Sequence, residues 1–126
     1  MKKAIFTLLA ILTVTFGIAN PLDNNGPASS AARQFGFYIG HGDAVKAELM
    51  VTNSEQLAAH IASVRELLVK HGGLKDVQVV QETVVEGKTH VTIAYVSKDD
   101  SFKWEQTYEL SEDGNGRWKV TIPVTE

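Results

Sequence analysis

Residues 57–85 read LAAHIASVRELLVKHGGLKDVQVVQETVV, and the fold class turns on the change of rhythm inside them. Before Gly72-Gly73, Leu57, Ile61, Val64 and Leu68 recur at i, i+4, i+7 and i+11, with Ala58 and Leu67 widening the stripe. That is the period of an amphipathic helix. After the glycines the period falls from about 3.6 to 2, the signature of strands. Gly72-Gly73 ends the helix because glycine takes the left-handed backbone that closes a last turn, and Leu74 stands where a hydrophobic contact often accompanies such an ending. At the helix start, Thr52 and Glu55 have the spacing of a capping box, with Ser54 as a competing cap.

Upstream lie two shorter helices. From Ala28 to Ile39 the residues Ala32, Phe35, Tyr38 and Ile39 share one helical face, and Gly40-His41-Gly42 closes it. Asp43 occupies an N-cap position before Ala44–Met50, a short second helix. Downstream, four strands follow at Val77–Val85, His90–Ser97, Phe102–Leu110 and Arg117–Ile122. They are joined by Glu86-Gly87-Lys88, Lys98-Asp99-Asp100 and Asp113-Gly114-Asn115-Gly116. Connections this short make consecutive strands antiparallel.

Phe102, Trp104, Tyr108 and Leu110 alternate with Lys103, Glu105, Thr107 and Glu109, and Trp118, Val120 and Ile122 with Lys119 and Thr121. The sheet therefore has an apolar face and a charged face. The expected architecture is α+β: N-terminal helices packed on one face of a four-stranded antiparallel meander, with the long third helix across the apolar side.

The amino terminus reads as an export signal. Lys2 and Lys3 precede an apolar run from Ala4 to Ile18, and Gly17-Ile18-Ala19 offers small residues for cleavage after Ala19. The run is about 15 residues, short of the ~20 that span a bilayer, so no stable membrane anchor is expected after cleavage. Residues 20–30, with two prolines, three asparagines and two serines, read as a flexible lead-in, and residues 31–126 as a single domain. Cysteine is absent, which excludes disulfides, thiolate nucleophiles and cysteine zinc sites, and places a periplasmic or secreted product on its apolar core alone. Without Lys2 and Lys3 the chain carries 10 basic residues against 15 acidic, a net charge of -5 that disfavours nucleic acid and anionic lipid.

Three strings carry a family resemblance: Phe35–Val45 with its Gly-His-Gly-Asp-Ala ending, Leu67–Val80 around Gly72-Gly73-Leu74-Lys75-Asp76-Val77, and Asp113–Val120. Together they span about residues 30–122 and resemble small bacterial exported domains described as lumazine-binding-like, of the nuclear transport factor 2-like superfamily. The resemblance implies a strongly curved, cystatin-like sheet wrapped around helices into a cone, often with a pocket at its open end. Some members are isomerases or dehydratases, many only bind ligands or proteins, and homodimers through a sheet face are common among them. The isomerase pattern needs a general-base aspartate and an oxyanion-hole tyrosine inside the cone, and no such pair is matched here.

The chemical candidates are few. His41, His60, His71 and His90 lack metal-ligand spacing; His60 and His71 are eleven residues apart, about 16 Å along a helix, and read with the others as surface or helix-end residues. His41 and Asp43 form a loop pair readable as acid and base or as helix capping. Gln106, on the apolar face between Trp104 and Tyr108, either bonds to nearby groups or faces a ligand pocket. Trp104, Gln106 and Tyr108 are thus the candidate ligand-binding residues, with no catalytic set, metal or cofactor expected. The acidic strand face, including Glu105 and Glu109, reads as solvated or as a platform for a basic partner. The function expected is a non-enzymatic exported binding module for a small apolar ligand or a protein partner. The alternatives are an isomerase- or dehydratase-type enzyme, or an interaction factor of the immunity type.

Overall fold

The computed structural model describes residues 26–123; the leader, its cleavage site and most of the lead-in lie outside them. Among the described residues three helices come first: α1 Pro27–His41, α2 Ala44–Glu48 and, after a 3-10 turn at Ser54–Gln56, α3 Leu57–Val69. Four strands follow: β1 Leu74–Val85, β2 Lys88–Ser97, β3 Lys103–Glu112 and β4 Trp118–Thr121. They form one antiparallel sheet in the order β1-β2-β3-β4. Residues 27–30, expected in the lead-in, form the first turn of α1, with Pro27 at its opening and Ala28 and Ser29 buried.

The helix ends follow the glycines. Gly42 adopts φ 76°, Gly42 N–H bonds the Ile39 carbonyl and Asp43 N–H that of Tyr38. Gly72 and Gly73 have φ 94° and 96°, and Gly73 N–H returns to the Leu68 carbonyl at 2.9 Å. Asp43 caps α2 by accepting from Lys46 N–H at 3.2 Å. The expected capping box of α3 is not made: neither the 3-10 turn nor α3 has a side-chain cap, and the Thr52 hydroxyl is turned to β4 instead. Asn53 donates to the Ile122 carbonyl at 2.9 Å and accepts from Ile122 N–H at 3.0 Å, while the Thr52 and Thr121 hydroxyls bond at 2.8 Å. Val120 N–H donates to the Met50 carbonyl and Thr52 N–H to that of Val120, so the outer edge of β4 is covered by residues 50–52.

The helix that lies along the apolar face is α1 rather than the expected α3, and at 15 residues against 13 it is also the longer of the two. Its small residues explain the difference. Ala32, Gly36 and Gly40 recur every four residues, and a Cβ on Gly36 would stand 2.6 Å from Ile93 Cδ1 and 2.9 Å from Val77 Cγ1. One on Gly40 would stand 2.6 Å from Leu74 Cδ2, so the backbone of α1 approaches β1 and β2 as only glycine permits. α3 packs on α1 and α2 and sends Val64 and Leu68 into the core. Phe35, Ile39, Val77, Val91, Ile93, Tyr95, Tyr108, Leu110 and Val120 complete that core, each buried side chain of Val, Leu, Ile or Phe size contributing about 1.5–3 kcal/mol.

Candidate functional site

The three residues expected to bind a ligand stand side by side on the inner face of β3. Trp104 faces Tyr95 of β2, Gln106 faces Ile93, and Tyr108 faces Val91. Tyr108 is fully buried, Gln106 is 8% exposed and bonds the Thr107 carbonyl at 3.2 Å, and Trp104 is half-buried and stacks on Tyr95 at 5.8 Å.

Two residues the sequence reading did not join to this group complete it. The Tyr95 and Tyr108 hydroxyls meet at 2.7 Å, and His60 Nε2 reaches the Tyr108 hydroxyl at 2.5 Å. Phe35 and His60 both meet the Tyr108 ring edge-on, at 5.3 and 5.5 Å. His60, expected at the surface, is thus a half-buried member of a His60–Tyr108–Tyr95 chain. The apolar stripe of α3 contained the signal, since His60 lies beside Ile61 and one turn before Val64. Burial pushes both phenols up, Tyr95 and Tyr108 alike, and holds them neutral.

A groove of about 800 Å³ runs between the exposed side of α1, at Ser30, Arg33, Gln34 and Phe37, and residues Asp76–Val79 of β1. Phe37 and Val79 give it apolar lining beside the buried Val77, and its polar groups are Ser30, Arg33, Gln34, Asp76 and Gln78. Arg33 Nε donates to the Val77 carbonyl at 2.7 Å, its Nη2 to Asp76 Oδ1 at 3.1 Å, and the guanidinium stands over Phe37 at 4.8 Å. Asp76 Oδ1 also accepts from Val77 N–H at 2.8 Å, so both main-chain groups of Val77 are held by side chains.

A second cluster collects the residue types of a catalytic triad without its geometry. His71 Nδ1 approaches Ser101 Oγ at 3.0 Å and Asp99 Oδ2 at 3.4 Å, so one ring nitrogen serves both partners, where a triad needs two. Ser101 and Ser97 hydroxyls each donate to Asp99 Oδ1 at 2.7 Å, and Ser101 N–H donates there at 2.9 Å. The cluster fastens the β2–β3 turn to the end of α3, with His71 stacked on Phe102. These bonds, that from Ser101 N–H first, hold the Asp99 carboxyl well below the usual carboxylate range. A lowered folded-state pKa stabilises the turn above the ordinary value of 3.8, and the contribution is lost as pH falls below it. Asp99→Asn is expected to flatten the acid limb of a stability-versus-pH curve measured by urea unfolding below pH 4, which an unchanged limb would refute.

His41 stacks on Phe37 and is not bonded to Asp43, whose carboxylate caps α2. On the outer sheet face Lys88 and Glu109 approach at 3.8 Å, an exposed pair of small energetic weight. No group of three or more histidine, aspartate or glutamate side chains among the described residues is arranged to hold a metal ion.

Helices followed by a curved four-stranded antiparallel sheet, closed on an aromatic interior, make an NTF2-like α+β fold. The solved structure of an NTF2-like transpeptidase from Campylobacter jejuni shares it, with a TM-score of 0.66 at 14% identity over 78% of this chain and 100% of that one. No family model and no curated protein matches the sequence.

Proposed function

We propose that the chain is an exported, non-enzymatic binding module that receives a segment of a protein partner in the groove between α1 and β1. The observation carrying this reading is the groove itself, where Phe37 and Val79 stand among hydrogen-bonding groups from both α1 and β1. The Tyr108 hydroxyl is bonded on both sides, by Tyr95 and His60, inside a packed interior. A structural role therefore accounts for the residues that an isomerase- or dehydratase-type reading would enlist. Export is supported by Lys2, Lys3 and the apolar run ending in Gly17-Ile18-Ala19. It is tested by amino-terminal sequencing of the protein recovered outside the cytoplasm, with Asn20 expected first.

A photo-crosslinking residue placed at Gln34 is expected to capture a mapped peptide of the partner in intact cells, and one at Glu105 on the other sheet face to capture none. Phe37→Ala is expected to weaken that capture about tenfold, the scale of one buried aromatic contact at an interface. Capture from Glu105 alone would move the interface to the acidic face. A small apolar molecule seen by native mass spectrometry on the wild-type chain, and absent from Phe37→Ala, would make the groove a small-ligand site.

A further inference from the structure

Both edges of a sheet expose main-chain groups, and this sheet treats its two edges differently. The β4 edge is bridged by residues 50–52, whereas no strand among the described residues pairs with the free edge of β1. The two ends of β1 also differ. Near its start, residues skipped in the pairing with β2 bend it between Leu74 and Asp76 and between Val79 and Gln81, and Arg33 and Asp76 occupy the main chain of Val77. Bulges and charged side chains are the means by which proteins blunt an edge.

From Gln81 to Val85 the pairing with β2 is regular. The closing pair Val85–Lys88 flanks a two-residue turn, with Glu86 at φ 53° and Gly87 at φ 81°. Counting back from that hydrogen-bonded pair, the N–H and C=O of Val84 and Glu82 point away from β2. Val84 is 65% and Val85 51% exposed, a pair of valines in water at the tip of an unpaired edge. Beside them Gln81 is 3% exposed with both amide atoms unpartnered, and a side chain on an added strand would stand about 5 Å away, within its reach.

We infer that the free edge of β1 at Glu82–Val85 accepts an extended main-chain segment as a fifth strand, in register past the stopper that Arg33 and Asp76 form at Val77. The inference rests on the protein-partner reading of the groove, into which the same segment would continue. Only an extended main chain matches donors and acceptors repeating at strand spacing. Its side chains are specified by the surface: apolar beside Val84 and Val85, basic beside Glu82 and Glu86. A second copy paired two-fold about Val84, whose main-chain groups point outward, would set Glu82 of each chain against Glu86 of the other, so the occupant is a basic partner.

The test uses the mature chain and a short synthetic peptide of alternating valine and lysine, followed by amide chemical shifts and titration. Shifts are expected at Glu82–Val85, with the affinity lowered at least about tenfold by Val84→Pro, which removes one outward N–H at a position where an edge strand tolerates proline. Val84→Lys provides an independent variant with every N–H intact, and the same loss is expected. Binding that survives both Val84 variants but is lost in Phe37→Ala overturns the added strand and leaves the groove reading standing. Absence of binding to the wild-type chain overturns the added strand, and the groove reading falls with it only if crosslinking at Gln34 also fails. A dimer that Val84→Pro converts to monomer assigns the edge to a second copy and likewise overturns the proposal.

Discussion

Phe35→Ala is expected to destabilise the domain by about 3–5 kcal/mol, the range for deleting a buried aromatic ring and leaving a cavity. Phe35 is fully buried on the sheet-facing side of α1 and meets Tyr108 edge-on at 5.3 Å. Its ring links the helix that covers the sheet to the hydroxyl chain beneath, so relaxation around the cavity would have to move α1. Gly36 and Gly40 prevent that movement, because they already bring the backbone of α1 against Ile93, Val77 and Leu74. Domains of this size are stable by about 5–15 kcal/mol, so the variant is expected to lose much of its folded margin. A urea midpoint within the error of the wild type would refute this account of the core.

The second large effect concerns Tyr108. Its hydroxyl is shared by Tyr95 and His60, so Tyr108→Phe leaves the Tyr95 hydroxyl buried without its partner, at an expected cost of about 1–3 kcal/mol. Tyr95→Phe together with Tyr108→Phe is expected to cost less than the two single changes combined, because the double variant removes both halves of the pair. Additive costs in a double-mutant cycle would show the hydroxyl contact to be unimportant.

The same chain predicts an alkaline response. The folded phenols titrate above the ordinary value of 10, so the stability they confer is complete below pH 10 and is lost as pH rises above it. In an ultraviolet titration Tyr95 and Tyr108 are expected to ionise only as the protein unfolds. Early ionisation of all three tyrosines would contradict their burial.

The switch of period at Gly72-Gly73 was enough to place helices before strands, since helix and strand spacing are local properties of the chain. Alternation in β3 likewise identified its inner face, and short turns dictated a meander. Strand ends moved by a few residues, as at Leu74 rather than Val77, where bulged backbone weakens the alternating signal. Which helix covers the sheet was less legible. The expected length and the apolar stripe favoured α3, but packing distance decided for α1, and only its Ala32, Gly36, Gly40 series gave a sequence hint.

Of the candidate site, Trp104, Gln106 and Tyr108 were readable as neighbours because alternate residues of one strand share a face. Their partners were not. His60 lies 48 residues from Tyr108 and Tyr95 lies 13 away, and they meet through helix packing and strand register, which no local pattern encodes. The groove and the free edge of β1 belong to the same category. Spacing and composition determined the sequence of elements and the two faces of the sheet, whereas only the tertiary structure decided which edge is covered, where open space remains and which buried hydroxyls meet. Those outcomes depend on long-range juxtaposition, with side chains and main-chain groups drawn from segments far apart in the sequence.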